Sequence, residues 1–177
     1  MSILQRLGLV PATVPPRDRG LVEDIERLLA HLEPGRAEFV AVFAGLLARV
    51  AFADQEISEA EVSRIETLIL GHGGLSLAEA QAVAAIARHK TLRSAEPHLL
   101  TRRFGAIASG EQRLALIDCL YAVASADDLV AFVEDVEVRR IADALLVPWS
   151  EVLKIRSRYR EKLEELQQLR ALRERGS

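Results

Sequence analysis

Residues 50 to 65 read "VAFADQEISEAEVSRI". An apolar helical run stops here in Asp54, Gln55 and Glu56, and a new helix start follows at once, with Ser58 and Glu61 at capping-box spacing. A carboxylate at a helix C-terminus opposes the macrodipole, at a cost of a few tenths of a kcal/mol up to about 1 kcal/mol. Working outward, a shift of 73 residues, which carries Asp54 onto Asp127, finds the arrangement again. "VAFADQEISEAEVSRIETL" then aligns without a gap with "VASADDLVAFVEDVEVRRI". Val50 meets Val123, Ala51 meets Ala124, Ile57 meets Val130, Glu61 meets Glu134 and Ile65 meets Val138. Upstream, Phe43 meets Leu116 and Leu47 meets Leu120, so the preceding helix repeats as well. Each half is a helix ending in Ala-x-Ala-Asp, a short loop, and a helix carrying Glu seven positions after the Asp.

Helical periodicity runs through the rest of the chain. Phe39, Phe43, Leu46 and Val50 form a stripe at i, i+4, i+7 and i+11, and Leu116, Leu120 and Val123 form another. Strand-like alternation between turn signals is absent. Capping boxes at Ser58 with Glu61, Ser76 with Glu79, and Ser109 with Gln112 mark three helix starts. Helices are expected near 19–33, closed by "EPG", and over 36–53, 58–71, 76–91, 96–108, 110–126, 132–146 and 149–173. The reading is an all-α bundle of about seven to eight helices, built as two hairpin halves related by a pseudo-two-fold axis. It divides into a flexible leader at 1–18, with Pro11, Pro15 and Pro16, a helical domain at 19–159 with repeats at about 36–70 and 109–143, and a charged C-terminal extension at 160–177.

At 177 residues the chain is long enough for one domain with a sizeable core. Half the residues are hydrophobic and only 5% aromatic, so Ala, Leu, Val and Ile must fill that core. A net charge of −3 lacks the basic balance of general nucleic-acid binders. Cys119 is the single cysteine, which excludes an intramolecular disulfide and suits a reducing compartment. The N-terminus does not read as a secretory signal. "FVAVFAGLLARVAFAD" is broken by Arg49 and falls short of the roughly 18 to 20 residues that span a bilayer. A cytoplasmic location is the expectation.

Two stretches, "AFADQEISEAEVSRI" and "AVASADDLVAFVEDVEVRRIADALLVPWSEVLKIRSRY", resemble the TerB-like proteins, a family associated by name with tellurite resistance. They are similar to its A-x-A-D-G-x-I-x-x-x-E pattern and to its second Asp hairpin with the following "RRIA-x-x-L" helix. The resemblance spans roughly Arg36 to Tyr159. It implies an all-α fold of two related halves, a role in stress response, no enzymatic activity, and acidic residues that take a metal ion. By motif position these are Asp54 and Glu61 in the first half and Asp127 and Glu134 in the second. Gln55 and Asp128 replace the family glycine, which tolerates positive φ at least cost.

Chemistry allows two readings of the four carboxylates. A hard divalent cation, Ca²⁺ or Mg²⁺, takes oxygen ligands, and carboxylates from two hairpins supply several. Alternatively, Asp54 and Asp127 accept bonds from backbone amides of their own loops, while Glu61 completes a capping box. An EF-hand is excluded: counting from Asp54, the sixth and twelfth positions are Glu59 and Ile65, and the second copy has Phe132 and Val138 there. "HGGLSLA", His72 to Ala78, has the look of an esterase loop but reads as helix end, turn and N-cap. His31, His72, His89 and His98 form no HExxH pair and read as solvated or locally bonded. No phosphate-binding glycine loop is present. The final helix is amphipathic through Val152, Ile155, Tyr159, Leu163, Leu166 and Leu169, and offers a seam for self-association or a protein partner. Its Glu161, Glu164 and Glu165 disfavour contact with an acidic membrane surface.

The expectation is therefore a non-catalytic module that binds a divalent cation or a protein partner. The alternative is a metal-free adaptor that acts through its C-terminal helix.

Overall fold

A computed structural model describes residues 1–51, 59–88, 96–125 and 132–175. The helices are α1 (Ile3–Arg6), α2 (Arg19–Ala30), α3 (Pro34–Ala51), α4 (Glu59–His72), α5 (Leu77–Ala87), α6 (Pro97–Ile107), α7 (Gly110–Ala124), α8 (Phe132–Ala144) and α9 (Trp149–Arg175), with one 3-10 turn at Pro16–Asp18. No strand occurs among the described residues. Helices α2 to α9 are the eight expected from periodicity. Two of the predicted capping boxes are formed. Ser76 Oγ accepts from the Glu79 amide at 3.3 Å while Glu79 Oε2 accepts from the Ser76 amide at 2.8 Å. Ser109 and Gln112 do the same at 3.2 and 2.8 Å. The third box includes Ser58, outside the described residues.

Helix α3 is the centre of the molecule. Val40 to Ala44, Leu46 and Leu47 are all buried, because α2, α5, α6, α7 and α8 pack around it. A helix that is apolar on every side needs such enclosure. Phe39 and Phe104 pack with tilted rings at 5.2 Å between centroids, and Phe43 meets Phe104 edge-on at 6.1 Å.

The two halves are related as the sequence repeat requires. Shifting by 73 residues carries the last residue of α3, Ala51, onto that of α7, Ala124, and the first of α4, Glu59, onto that of α8, Phe132. Buried positions coincide: Phe43 with Leu116, Leu47 with Leu120, Val50 with Val123, and Ile65 with Val138. The relation runs one helix further than the expected repeat. Helix α5 packs on α3 as α9 packs on α7, and Ala82 and Ile86 are buried where Ile155 and Tyr159 are buried. The return helices cross over, α4 packing on α7 and α8 on α3. The halves differ where α2 covers α5. Ala80, Val83, Ala84 and Ala87 are buried there, and their counterparts Leu153, Arg156, Ser157 and Arg160 remain partly or fully exposed on α9.

The leader departs from the expectation of a flexible segment. Ser2 caps α1 in a box with Gln5, and Gly8, at φ +68°, turns the chain so that Leu4, Leu7, Leu9 and Val10 enter the core. The short apolar stretch that fails as a signal serves instead as tertiary packing. Gly45 on α3 makes room for it: a Cβ there would lie 2.8 Å from Leu9 Cδ2 and 2.9 Å from Leu100 Cδ1. No described helix is long and apolar enough to cross a membrane.

Candidate functional site

The acidic joints sit where α3 hands over to α4 and α7 to α8. Asp54 and Asp127 lie outside the described residues, each three positions beyond the last residue of its helix. Glu61 and Glu134 are the third residues of α4 and α8, and their side chains are also outside what is described. Both glutamates therefore fall in the first turn of a helix, where the dipole favours a carboxylate. Among the described residues, no group of three or more His, Cys, Asp or Glu side chains is gathered to hold a metal.

One turn inward from these joints, the halves are clasped by an ion pair that the sequence does not announce. Arg49, near the end of α3, donates from Nε and Nη2 to Glu137 Oε1 on α8 at 3.0 and 2.8 Å. Both side chains are largely shielded, Arg49 at 26% and Glu137 at 18% exposure. Arg140 Nη1 lies 3.6 Å from the other Glu137 oxygen. In the sequence Arg49 shows only as the charge that interrupts an apolar run. That interruption is the available signal, and Glu137 has none.

A second polar centre lies between α4, α7 and α9. His72 Nδ1 is 2.7 Å from Asp118 Oδ2, and Tyr159 donates its hydroxyl to Asp118 Oδ1 at 2.9 Å. Arg158 reaches the same oxygen at 3.2 Å. The Tyr159 ring stacks on Tyr121 at 6.2 Å. Burial, reinforced by the Asp118 carboxylate, pushes the Tyr159 phenol well above its usual range. His72 is thus bonded across helices rather than solvated or bonded within its own loop, and "HGGLSLA" is the α4 end, a turn with Gly74 at φ +64°, and the Ser76 cap. Asp118 was missed because a single Asp in "LIDCLYAV" shows no partner in sequence. Cys119 beside it is fully buried, and desolvation pushes its thiol up, leaving it inert.

A third pair is structural. Arg36 donates from Nη2 to Glu79 Oε2 at 2.9 Å and from Nε to Oε1, while its guanidinium lies 4.7 Å over the Phe39 ring. The Arg36 hydrogen bonds hold the Glu79 carboxyl down at about 2, against the opposing effect of burial.

Duplicated helix triplets, crossed return helices and an acidic joint repeated in register define a class: an all-α repeat module with paired interhelical joints. Residues 40–157 match the family model described as tellurite resistance protein TerB, and the chain belongs to that family. The matched region starts in α3 and ends in α9, leaving α1, α2 and the last part of α9 outside it. No curated protein and no solved structure matches the chain.

Proposed function

We propose that this chain is a non-catalytic, cytoplasmic TerB module that takes a divalent cation between its two acidic joints and works in the stress response to which the family's tellurite-resistance name refers. Asp54 and Glu61 would supply oxygen ligands from one joint and Asp127 and Glu134 from the other. The observation that carries this reading is the register of the helix ends. In both halves, an Asp follows the first helix by three residues and a Glu occupies the third position of the next. An Asp at the same step past two helix ends would oppose each C-terminal dipole, which calls for a compensating positive charge. All-oxygen donors favour Ca²⁺ or Mg²⁺ over softer metals.

The test is the thermal midpoint of chelator-stripped protein titrated with Ca²⁺, Mg²⁺, Mn²⁺ and Zn²⁺, beside a variant carrying Asp54→Asn with Asp127→Asn. Binding at a hundredfold excess over Kd stabilises by about 2.7 kcal/mol. A saturable rise with one ion, lost in the double variant, is the expected result. A flat response to every ion sinks the reading.

The second reading is a metal-free adaptor. It is favoured by α9, which continues beyond the buried Tyr159 to Arg175, with Leu169 and Leu172 about two-thirds exposed. In that case Leu169→Ser with Leu172→Ser would abolish self-association or partner capture, while added ions would change nothing.

A further inference from the structure

A cavity of about 500 Å³ opens between α3, α6 and α8. Its size lies within the roughly 300–1,000 Å³ typical of small-molecule sites. Leu46, Ile141 and Ala144 give it apolar walls, and Arg49, Glu137 and Arg140 stand together at one side. His98 and Thr101 of α6 also line it.

Among the described residues the charges do not balance. Glu137 spends one oxygen on two bonds from Arg49, and its other oxygen stands 3.6 Å from Arg140, beyond hydrogen-bond length. One carboxylate thus serves two guanidinium groups. Arg49 leaves donors uncommitted to Glu137, in a setting only a quarter exposed, where a charge-assisted bond is worth more than in open water.

The repeat supplies an internal control. Shifting by 73 residues puts Ala122 at the place of Arg49, Arg64 at that of Glu137 and Thr67 at that of Arg140. Helix α4 packs on α7 with no guanidinium at the places of Arg49 and Arg140, a polar contact there being His72 with Asp118 instead, as α8 packs on α3 with Arg49 and Glu137. The helix pairing therefore does not require arginines at these places. Partly shielding a charge pair that the packing can do without costs desolvation unless something else uses it.

We infer that this cavity is a binding site for a small organic oxyanion, a carboxylate carrying an apolar tail or ring. The head group would meet the Arg49 and Arg140 guanidinium groups, and the apolar body would lie on Leu46, Ile141 and Ala144. A bare inorganic anion would use only the first half of the site.

The test is calorimetric titration of the full chain with octanoate and benzoate, with inorganic phosphate as the bare-anion probe. Amide chemical shifts locate any binding. Saturable one-to-one binding of octanoate or benzoate is expected, with shifts along α3, α6 and α8 and a much weaker response to phosphate. Arg140→Gln should weaken it roughly three- to tenfold, since the exposed Arg140 head is partly screened. Ala144→Phe, at an exposed wall position, fills the cavity without touching the charges and should abolish binding. The inference falls if neither acid binds, if both variants bind as the parent does, or if phosphate binds as tightly as octanoate.

Discussion

Glu79 joins two tasks on one carboxylate, capping α5 and holding Arg36 over Phe39. Its folded value of about 2 lies below the ordinary 4.5, so its contribution to stability is present above pH 4.5 and is lost as pH falls from there toward 2. The shift corresponds to at most about 3 kcal/mol, and partial exposure of Arg36 brings this to about 2 kcal/mol. Glu79→Gln keeps an acceptor for the capping box and removes the charge. Urea unfolding should show a loss of about 2 kcal/mol at neutral pH and a flatter acid limb than the parent. An unchanged acid limb would show that the pair does not act through charge. Glu79 was legible in sequence as a cap, because a cap is set by a spacing of three. Its pairing with Arg36, 43 residues away, depends on how α3 and α5 pack and could not be read.

At the scale of elements, helix starts were more legible than helix ends. Ser76 and Ser109 fix their helices by local bonds, whereas the expected end at 91 fell four residues beyond Ala87. The four-residue α1 was missed because its stability comes from burying Leu4 rather than from helical length. Helix α9 shows the same dependence on tertiary contact. Val152, Ile155 and Tyr159 are buried among its described side chains, and the Tyr159 hydroxyl on Asp118 is a polar anchor. Tyr159→Phe preserves the ring on Tyr121 and removes that bond, with an expected loss of about 1–2 kcal/mol. The raised phenol value adds a second signature. Stability from a group whose pKa is raised on folding is complete below the unfolded value and declines as pH climbs beyond about 10. The variant should therefore lose part of the parent's alkaline sensitivity, as measured by denaturant midpoints across that range. Equal alkaline limbs would place the sensitivity elsewhere.

For the whole molecule, the duplication was the most legible feature, since one ungapped shift predicts the ends of four helices. The candidate site was legible only in part. Asp54 and Asp127 announce themselves by repetition, but the Arg49–Glu137 clasp and the His72–Asp118–Tyr159 centre join residues 88, 46 and 41 positions apart. Which polar residues meet over such spans is decided by packing. The place of Asp118 is held in the first half by Gly45, so one repeat position seats an apolar leader and the other an ionic anchor. Because α4 rests on α7 and α8 on α3, the halves should unfold as one unit. Trp149 fluorescence and far-ultraviolet circular dichroism should give coincident denaturation curves, and two separated transitions would refute this. The crossing also bears on how the protein is made. A ribosome delivers α3, α4 and α5 before the helices that cover two of them exist, and 57 further residues, from 88 to 144, must appear before α8 is complete. At roughly 5–20 residues per second, the nascent chain carries an uncovered apolar α3 for several seconds. Over that interval, α5 and α2 are its shelter from chaperones and from neighbouring chains.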